Sequence, residues 1–177
     1  MVMIRQNIKP MISEEEIHQK VKEMGRLIEA DYSRSELVVV GLLKGAYAFF
    51  ADLTRTIDLD IQVCFLGASS YGSELESKGE VKIVQDIDTP IKGKNLLIVE
   101  DIIDTGQTLT KVLKYVKSHS PASVRICTLL DKPARRIVDV PVDYVGFSIE
   151  DQFVVGYGLD AKGLYRNLPY IGIYNPV

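Results

Sequence analysis

The sequence predicts a single α/β domain with a mainly parallel central sheet flanked by helices. Short apolar runs without polar interruption recur along the chain and are typical of parallel strands buried on both faces. Amphipathic segments with helical spacing lie between these runs, and this alternation of strands and helices favours a parallel sheet. The chain has 177 residues, of which 46% are apolar and 25% charged, so it suffices for one globular domain with a substantial core.

The first part of the chain contains a capped helix and then a strand, loop and helix unit. Ser13 followed by Glu16 forms a capping box, and apolar residues at helical spacing extend that helix to about Ala30. The next elements are predicted as a strand at 36–41, a tight turn at 42–45, a helix with a buried stripe over 46–57 and a strand at 59–68.

The segment 69–80 is polar, contains two glycines and has no apolar period. Two interpretations of it remain open. One is a long hairpin connection to a returning strand at 81–84. The other is a mobile lid over an active site, because loops of this length in compact domains often cover one.

The stretch from Asn95 to Thr110 is the most informative part of the chain. Its apolar run at 96–99 is expected of a central strand buried on both faces. An acidic turn and the hydroxyl-rich loop 105–108 follow, and apolar residues over 109–116 then repeat at i, i+3, i+4 and i+7, which predicts an amphipathic helix. The carboxylates of the turn belong to Glu100, Asp101 and Asp104.

This order of elements suits a phosphorylated sugar. N–H groups at the helix start, with the hydroxyls of Thr105 and Thr108 and the bare backbone of Gly106, form a site for a phosphate dianion. The carboxylates upstream can accept hydrogen bonds from sugar hydroxyls or hold a hard cation such as Mg²⁺. The alternative is that the acids cap the helix and offset its dipole, although three acids exceed what a cap requires.

The last third of the chain adds strands at 124–130, 142–147 and 171–174. Ligands of parallel sheets bind beyond the carboxyl ends of the strands, so the polar clusters that follow the strands are expected along one rim. These clusters are Lys44–Gly45, Glu100–Thr108, Asp131–Lys132 and Asp160.

Composition and missing motifs exclude several classes of function. A net charge of −3 and a pI near 5.5, without a basic tract, argue against nucleic-acid binding. No apolar stretch reaches membrane-spanning length, and the start lacks the apolar core of a signal peptide. Cys64 and Cys127 lie far apart in apolar runs and are expected to be buried reduced thiols of a cytoplasmic protein. The phosphate loop, dinucleotide fingerprint and serine elbow of common enzymes are missing, and the remaining parts suit displacement at a ribose carbon with pyrophosphate leaving.

The segment Val99–Gly106 resembles the phosphoribosyl-pyrophosphate signature of the purine phosphoribosyltransferases, in particular of the hypoxanthine (hypoxanthine-guanine) phosphoribosyltransferase family. The resemblance covers nearly the whole chain. It implies the type I phosphoribosyltransferase fold over residues 1–177, with a small hood formed by the N- and C-terminal segments and a mobile catalytic loop at about 69–80. The matching segments are a pyrophosphate loop at 43–45, the catalytic loop at 70–72, a base-recognition strand end at 130–132 and an active-site segment at 153–166.

The resemblance also implies residue roles. Asp104 would be the general base near purine N7 or an electrostatic stabiliser of the ribose centre, and both roles stay open. Ser70 and Tyr71 would close over the site and exclude water, and the peptide bond between Leu43 and Lys44 would be cis. Mg²⁺ would bind Glu100 and Asp101, with a second ion at Asp160. Phosphoribosyl pyrophosphate would contact Leu43, Lys44, Gly45, Glu100, Asp101, Asp104, Thr105, Gly106, Gln107, Thr108 and Arg166. Gln107 stands where many relatives have a lysine.

The purine base would stack on Phe153, with Ile102 and Leu159 as apolar walls. Lys132 has donors and no acceptor, so it would favour the O6 carbonyl of hypoxanthine or guanine over the amino group of adenine. The backbone of Val154 would contact the N1/N2 edge. Taken alone, Phe153 is equally well a core residue and Lys132 a solvated strand end.

The predicted function is therefore purine salvage, in which a phosphoribosyl group passes from phosphoribosyl pyrophosphate to hypoxanthine or guanine with Mg²⁺ as cofactor. The family resemblance implies a homodimer or homotetramer. The alternatives are a transferase for another base, a nucleotide-sensing RNA-binding regulator on the same fold, and a noncatalytic sugar-phosphate binding module.

Overall fold

The computed structural model describes residues 7–70 and 81–175, which form two sheets and three α-helices. The strands are β1 (Ile8–Ile12), β2 (Leu37–Leu43), β3 (Ile61–Ser70), β4 (Val81–Gln85), β5 (Asn95–Ile103), β6 (Ser123–Asp131), β7 (Tyr144–Ser148), β8 (Val154–Val155) and β9 (Ile171–Tyr174). The helices are α1 (Glu14–Tyr32), α2 (Tyr47–Thr54) and α3 (Gln107–Ser118), with a short 3-10 helix at Pro133–Arg135.

The larger sheet has the strand order β4-β3-β2-β5-β6-β7, and its strands are parallel except for β4, which runs antiparallel to β3. This arrangement confirms the predicted α/β fold with a mainly parallel sheet. The carboxyl ends of β2, β5 and β6 lie along the same edge, since Gly41 pairs with Val99 and Ile103 pairs with Asp131.

Strand β5 lies in the middle of the sheet and is buried on both faces. Leu97 and Val99 belong to the core under α1 and α2, whereas Leu96 and Ile98 belong to the core under α3. All four side chains are fully buried. The uninterrupted apolar run in the sequence therefore has the physical cause that was predicted, a helix layer on each side of the strand.

Helix α1 begins at the predicted capping box. The Ser13 hydroxyl accepts a hydrogen bond from the Glu16 N–H at 3.2 Å, and the Glu16 carboxylate accepts one from the Ser13 N–H at 2.8 Å. Helix α2 is shorter than its predicted stripe, which ran to residue 57. It ends at Thr54, and a turn in which the Thr56 N–H and hydroxyl both donate to the Leu53 carbonyl follows it.

The smaller sheet has the order β1-β9-β8 and is antiparallel. It joins the two ends of the described chain, as the hood implied by the family resemblance does. Strands β1 and β8 were not predicted from the residue pattern, because β1 alternates poorly around Pro10 and β8 has only two residues.

Strands β3 and β4 are antiparallel neighbours with Ser70 paired to Val81, which agrees with the predicted hairpin connection. Residues 71–80 lie outside the described part of the chain, so the lid interpretation and the role of Tyr71 stay predictions, as does the role of the Ser70 side chain. In the described ranges 7–70 and 81–175, no helix is both long and apolar enough to cross a membrane.

Candidate active site

Two adjacent carboxylates lie in the last part of β5. Glu100 and Asp101 were predicted in a turn, but the strand continues to Ile103 because Ile102 and Ile103 still pair with Leu130 and Asp131 of β6. Asp104 is the first residue after the strand. The acidic pair is therefore held on a rigid central strand and not on a loop.

This acidic pair is poorly solvated. Asp101 is only 9% exposed, and the Oε2 atom of Glu100 is buried without a hydrogen-bond partner in the described part of the chain. Burial raises the pKa of Glu100 well above its ordinary value, and the neighbouring Asp101 raises it further. Burial also raises the pKa of Asp101, although hydrogen bonds and the Arg166 charge oppose this effect. The pair is therefore suited to a group that supplies positive charge or hydroxyl donors.

Magnesium fits this donor set, because it prefers carboxylate oxygens and is commonly held by one or two carboxylates together with water and substrate phosphates. Among residues 7–70 and 81–175 no three His, Cys, Asp or Glu side chains converge on one point. A cation at Glu100 and Asp101 would thus complete its coordination with oxygens of a bound molecule and water.

A cavity of about 120 Å³ lies at the start of α3, beside the acidic pair. Gly106 caps the helix with φ of +81°, and a Cβ atom there would lie 2.5 Å from the Val138 carbonyl oxygen. The Thr105 carbonyl accepts hydrogen bonds from the N–H groups of Ile137 and Val138 at 3.0 and 3.1 Å, which fixes the loop. The cavity is lined by Glu100, Ile102, Ile103, Asp104, Thr105, Gly106, Thr108 and Leu109.

The loop after β2 touches the acidic pair. The Leu43–Lys44 peptide is cis, as the resemblance implied. A Cβ atom on Gly45 would lie 1.7 Å from Asp101 Oδ2, and one on Gly158 would lie 2.0 Å from the Gly45 carbonyl oxygen. Glycine is therefore required at both positions for the ends of β2 and β5 and the 156–160 segment to meet.

Asp160 and Arg166 form an ion pair at this junction, with Nη2 2.6 Å from Oδ1. Arg166 Nη1 also donates to the Gly158 carbonyl at 2.6 Å, and Asp160 Oδ2 accepts a hydrogen bond from the Gly163 N–H at 2.6 Å. Each carboxylate oxygen of Asp160 thus has one partner and keeps a lone pair, so the predicted metal role of Asp160 stays a prediction.

Two of the predicted purine-binding residues, Phe153 and Lys132, lie in environments that differ from the alternatives considered for them. Phe153 is 56% exposed and contacts the Tyr174 ring with a centroid distance of 5.9 Å, so it is not a core residue. Lys132 is only 7% exposed, and its Nζ donates to the Gln152 carbonyl at 2.6 Å, so it is not a solvated strand end.

The other predicted binding residues differ in position. Val154 is buried in β8, Leu159 packs in the main core and Ile102 is partly buried against that core. Gln107 is exposed and does not line the cavity at the start of α3. Lys44 is exposed at the end of β2.

Sequence analysis missed two residues near the site, Arg135 and Asp151. Arg135 Nε lies 3.0 Å from Asp104 Oδ1, and its Nη1 lies 3.4 Å from Asp151 Oδ2. The next residue, Arg136, pairs with Asp131 and donates to the Asp104 carbonyl at 3.2 Å. The available signal was the pair of adjacent arginines that begins four residues after Asp131, the end of β6.

Comparisons with known proteins agree with this geometry. Residues 13–162 match the phosphoribosyl transferase domain family. The hypoxanthine phosphoribosyltransferase of Salmonella typhimurium is 52% identical over 171 residues, which cover 96% of each chain. The hypoxanthine-guanine phosphoribosyltransferase of Bacillus subtilis is 48% identical over 168 residues, which cover 95% of this chain and 93% of the relative.

Solved structures give the same result. A hypoxanthine phosphoribosyltransferase from Staphylococcus aureus is similar with a TM-score of 0.93 and 44% identity, covering 99% of this chain and 96% of that one. A hypoxanthine-guanine phosphoribosyltransferase from Bacillus anthracis, with a HEPES molecule in its active site, has a TM-score of 0.90 and 48% identity, covering 94% and 98%. The chain therefore belongs to the hypoxanthine phosphoribosyltransferase family of enzymes with a phosphoribosyl transferase domain.

Proposed function

We propose that this protein transfers the 5-phosphoribosyl group from phosphoribosyl pyrophosphate to hypoxanthine and guanine, forming the nucleotide monophosphate and pyrophosphate in purine salvage. The observation that carries the proposal is the arrangement of a buried acidic pair, a cavity at a helix start, and a buried lysine that donates to the carbonyl of Gln152, the residue before the exposed Phe153. These parts match a ribose, a phosphate and a 6-oxopurine, respectively.

The sugar phosphate would be held by two chemically opposite groups. Glu100 and Asp101 would accept hydrogen bonds from the ribose 2′- and 3′-hydroxyls, or would hold an Mg²⁺ ion to which those hydroxyls bind. The 5′-phosphate occupies the cavity at the start of α3, where N–H groups and the hydroxyls of Thr105 and Thr108 donate to it. Gln107 adds a donor without charge, and its exposed position makes its contribution small.

Mg²⁺ is the cofactor that we propose for the acidic pair. When bound, it would supply charge that offsets the two carboxylates and the pyrophosphate leaving group. Pyrophosphate would also contact N–H groups of the Leu43–Gly45 loop and the Arg166 guanidinium. Asp160 would hold a second ion with the lone pairs that its contacts with Arg166 and Gly163 leave free.

The base would enter the slot beside Phe153, stack on its ring and accept a hydrogen bond from Lys132 at O6. The Lys132 ammonium is held by the Gln152 carbonyl, which orients it at small entropic cost because the side chain is already buried. An ammonium cannot accept a hydrogen bond, so the 6-amino group of adenine has no partner there. The Val154 backbone would contact the N1/N2 edge.

Asp104 would act at N7, on the same edge of the base as the O6 atom that Lys132 contacts. As the bond between ribose C1′ and the pyrophosphate oxygen breaks, purine N9 bonds to C1′ and the proton on N7 is lost. The Asp104 carboxylate, which lines the cavity proposed for the 5′-phosphate, would accept this proton, and its charge would also favour the developing positive charge on the ribose. Ser70 and Tyr71 would cover the site during turnover and exclude water.

The proposal also includes a cytoplasmic location and a homodimer or homotetramer. The two cysteines are free and buried, as predicted, which is typical of a reducing compartment. Family membership supports the proposed assembly.

A turnover assay with hypoxanthine, guanine, xanthine, adenine and uracil, each with phosphoribosyl pyrophosphate and Mg²⁺, tests the proposal. We expect hypoxanthine and guanine to be converted and adenine and uracil to be at least about 100-fold poorer, because a mismatched polar contact costs several kcal/mol. The Lys132→Ala variant should lose most of this preference. Best turnover of adenine or uracil by the wild type would refute the assigned base class, and absence of turnover with every base would leave a binding module.

A further inference from the structure

An alternating row of charges connects the two polar groups that would meet the purine. Asp104 contacts Arg135 at 3.0 Å, Arg135 contacts Asp151 at 3.4 Å, and Asp151 Oδ1 lies 3.6 Å from Lys132 Nζ. Asp104 follows β5, whereas Asp151 belongs to the segment before β8. Arg135 therefore links the end of β5 to the segment before β8, on the side of the proposed base site where Lys132 lies.

The contact with Arg135 leaves half of the Asp104 carboxylate available. Its Oδ1 atom accepts the hydrogen bond from Arg135 Nε, and its Oδ2 atom accepts none from residues 7–70 or 81–175. The Asp104 carbonyl is fixed separately by Arg136. The side chain is thus held at one oxygen while the other remains for a donor in the slot.

Arg135 is itself positioned by the local backbone. It ends the 3-10 helix that starts at Pro133, and its N–H donates to the Lys132 carbonyl at 3.1 Å. Its planar guanidinium directs Nε and Nη1 to two different carboxylates, which a lysine ammonium cannot do with the same geometry. Without Arg135, the carboxylates of Asp104 and Asp151 would keep only solvent between them and repel each other.

We propose that Arg135 is a positioning residue that orients the Asp104 carboxylate toward the N7–H group of the purine, with Asp151 as its second anchor. This inference deepens the proposed function and rests on it. In hypoxanthine, N7 and O6 lie next to each other on one edge of the base, so a fixed spacing between Asp104 and Lys132 lets both contacts form together. The ion pairs are partly exposed in the free protein and lose solvent when the base covers them, which strengthens them in the complex.

The test compares two hypoxanthine analogues that exchange nitrogen and carbon between ring positions 7 and 9. 9-Deazahypoxanthine keeps the N7–H donor, whereas 7-deazahypoxanthine has a C7–H group there, and both keep O6. Their inhibition constants against hypoxanthine turnover are measured for the wild type, Arg135→Met, Arg135→Lys and Asp151→Asn. Arg55→Met is the matched control, because Arg55 is an exposed arginine paired with Asp52 away from the site.

We expect Arg135→Met to raise the inhibition constant of 9-deazahypoxanthine about five-fold, the effect expected from loss of one partly exposed ion pair. The inhibition constant of 7-deazahypoxanthine should rise less than about two-fold. Arg135→Lys should lie between the wild type and Arg135→Met. Asp151→Asn should also raise the inhibition constant of 9-deazahypoxanthine more than that of 7-deazahypoxanthine, but by a smaller factor, because Asp151 acts on Asp104 only through Arg135. Any effect of Asp151 through Lys132 and O6 should change both constants equally. Arg55→Met should change neither constant.

Equal losses for both analogues, or no loss for either, would overturn the inference and leave Arg135 a structural surface residue. These outcomes differ from a failure of the proposed function, in which the wild type does not convert hypoxanthine at all. The folding of each variant is checked by its urea unfolding midpoint.

Discussion

Replacing Gly106 by alanine tests whether the loop that caps α3 is built around a residue without a side chain. The φ angle of +81° costs a non-glycine residue about 1–2 kcal/mol. The new Cβ would also lie 2.5 Å from the Val138 carbonyl oxygen, so the backbone at 137–138 must move. That movement weakens two hydrogen bonds to the Thr105 carbonyl, each with a net value of about 1 kcal/mol. We expect the free energy of unfolding to fall by about 2–4 kcal/mol in total.

A matched control separates the two causes. Gly93 has a φ angle of +74°, and nothing lies within 4 Å of a Cβ added there. Gly93→Ala therefore carries the conformational cost and the same change in unfolded-state entropy, but no clash. In urea unfolding, Gly106→Ala should lose about 1–2 kcal/mol more than Gly93→Ala. The KM for phosphoribosyl pyrophosphate should rise at least about ten-fold for Gly106→Ala only, since the cavity wall moves. Equal losses of stability would refute the contact with Val138.

Three further predictions concern the base-binding residue Phe153, the acidic pair, and the contact of Asp31 with Tyr144. Phe153→Ala should weaken base binding by about 5- to 100-fold and change the free energy of unfolding by less than about 0.5 kcal/mol. Leu27→Ala, at a similarly exposed apolar residue, is the control and should show an equally small change in stability. A large loss of stability in Phe153→Ala would show that the ring is structural. Glu100→Gln should reduce kcat/KM by at least about 100-fold. In thermal unfolding at pH 7, the Mg²⁺-free variant should be as stable as the wild type or more stable, because the substitution removes a buried charge. Clear destabilisation of the variant would contradict this prediction. The hydrogen bond from Tyr144 is the main cause that lowers the pKa of Asp31 in the folded protein. The ionised Asp31 carboxylate therefore stabilises the fold fully above its unfolded-state pKa near 3.9, and this stabilisation is lost as the pH falls through the lower folded-state pKa. Asp31→Asn should thus be less stable by at most about 1 kcal/mol at pH 7, and urea midpoints should converge with the wild type in strong acid; a constant difference would refute the assignment.

Much of the fold followed from the sequence because burial on two faces leaves a clear pattern. The run at 96–99 has no polar residue, since β5 has a helix layer on each side, and the capping box marks the start of α1 through two reciprocal hydrogen bonds. The short strands β1 and β8 left no such pattern. They form by pairing with β9, a contact between distant parts of the chain that local periodicity does not record.

The site was predictable to the extent that its chemistry is local. The 100–108 segment carries its carboxylates, hydroxyls and glycine in one continuous stretch, and the structure brings most of them to one cavity. The contact of Arg135 with Asp104 and Asp151 is different in kind. It depends on how the segment after β6 turns back over the end of β5, and an arginine pair in a loop is by default solvated.

The acidic pair shows how the fold and the proposed function oppose each other. Burying Glu100 beside Asp101 raises the pKa of Glu100 and leaves one of its oxygens without a partner among residues 7–70 and 81–175, which costs stability in the free protein. The fold tolerates this because the pair lies on a central strand in which four neighbouring apolar residues are fully buried. A ligand that supplies hydroxyl donors and positive charge satisfies these groups only in the folded state, so its binding should raise the unfolding temperature. Phosphoribosyl pyrophosphate with Mg²⁺ should therefore stabilise the wild type more than Glu100→Gln, and the difference between the two shifts measures how strongly the pair holds the sugar.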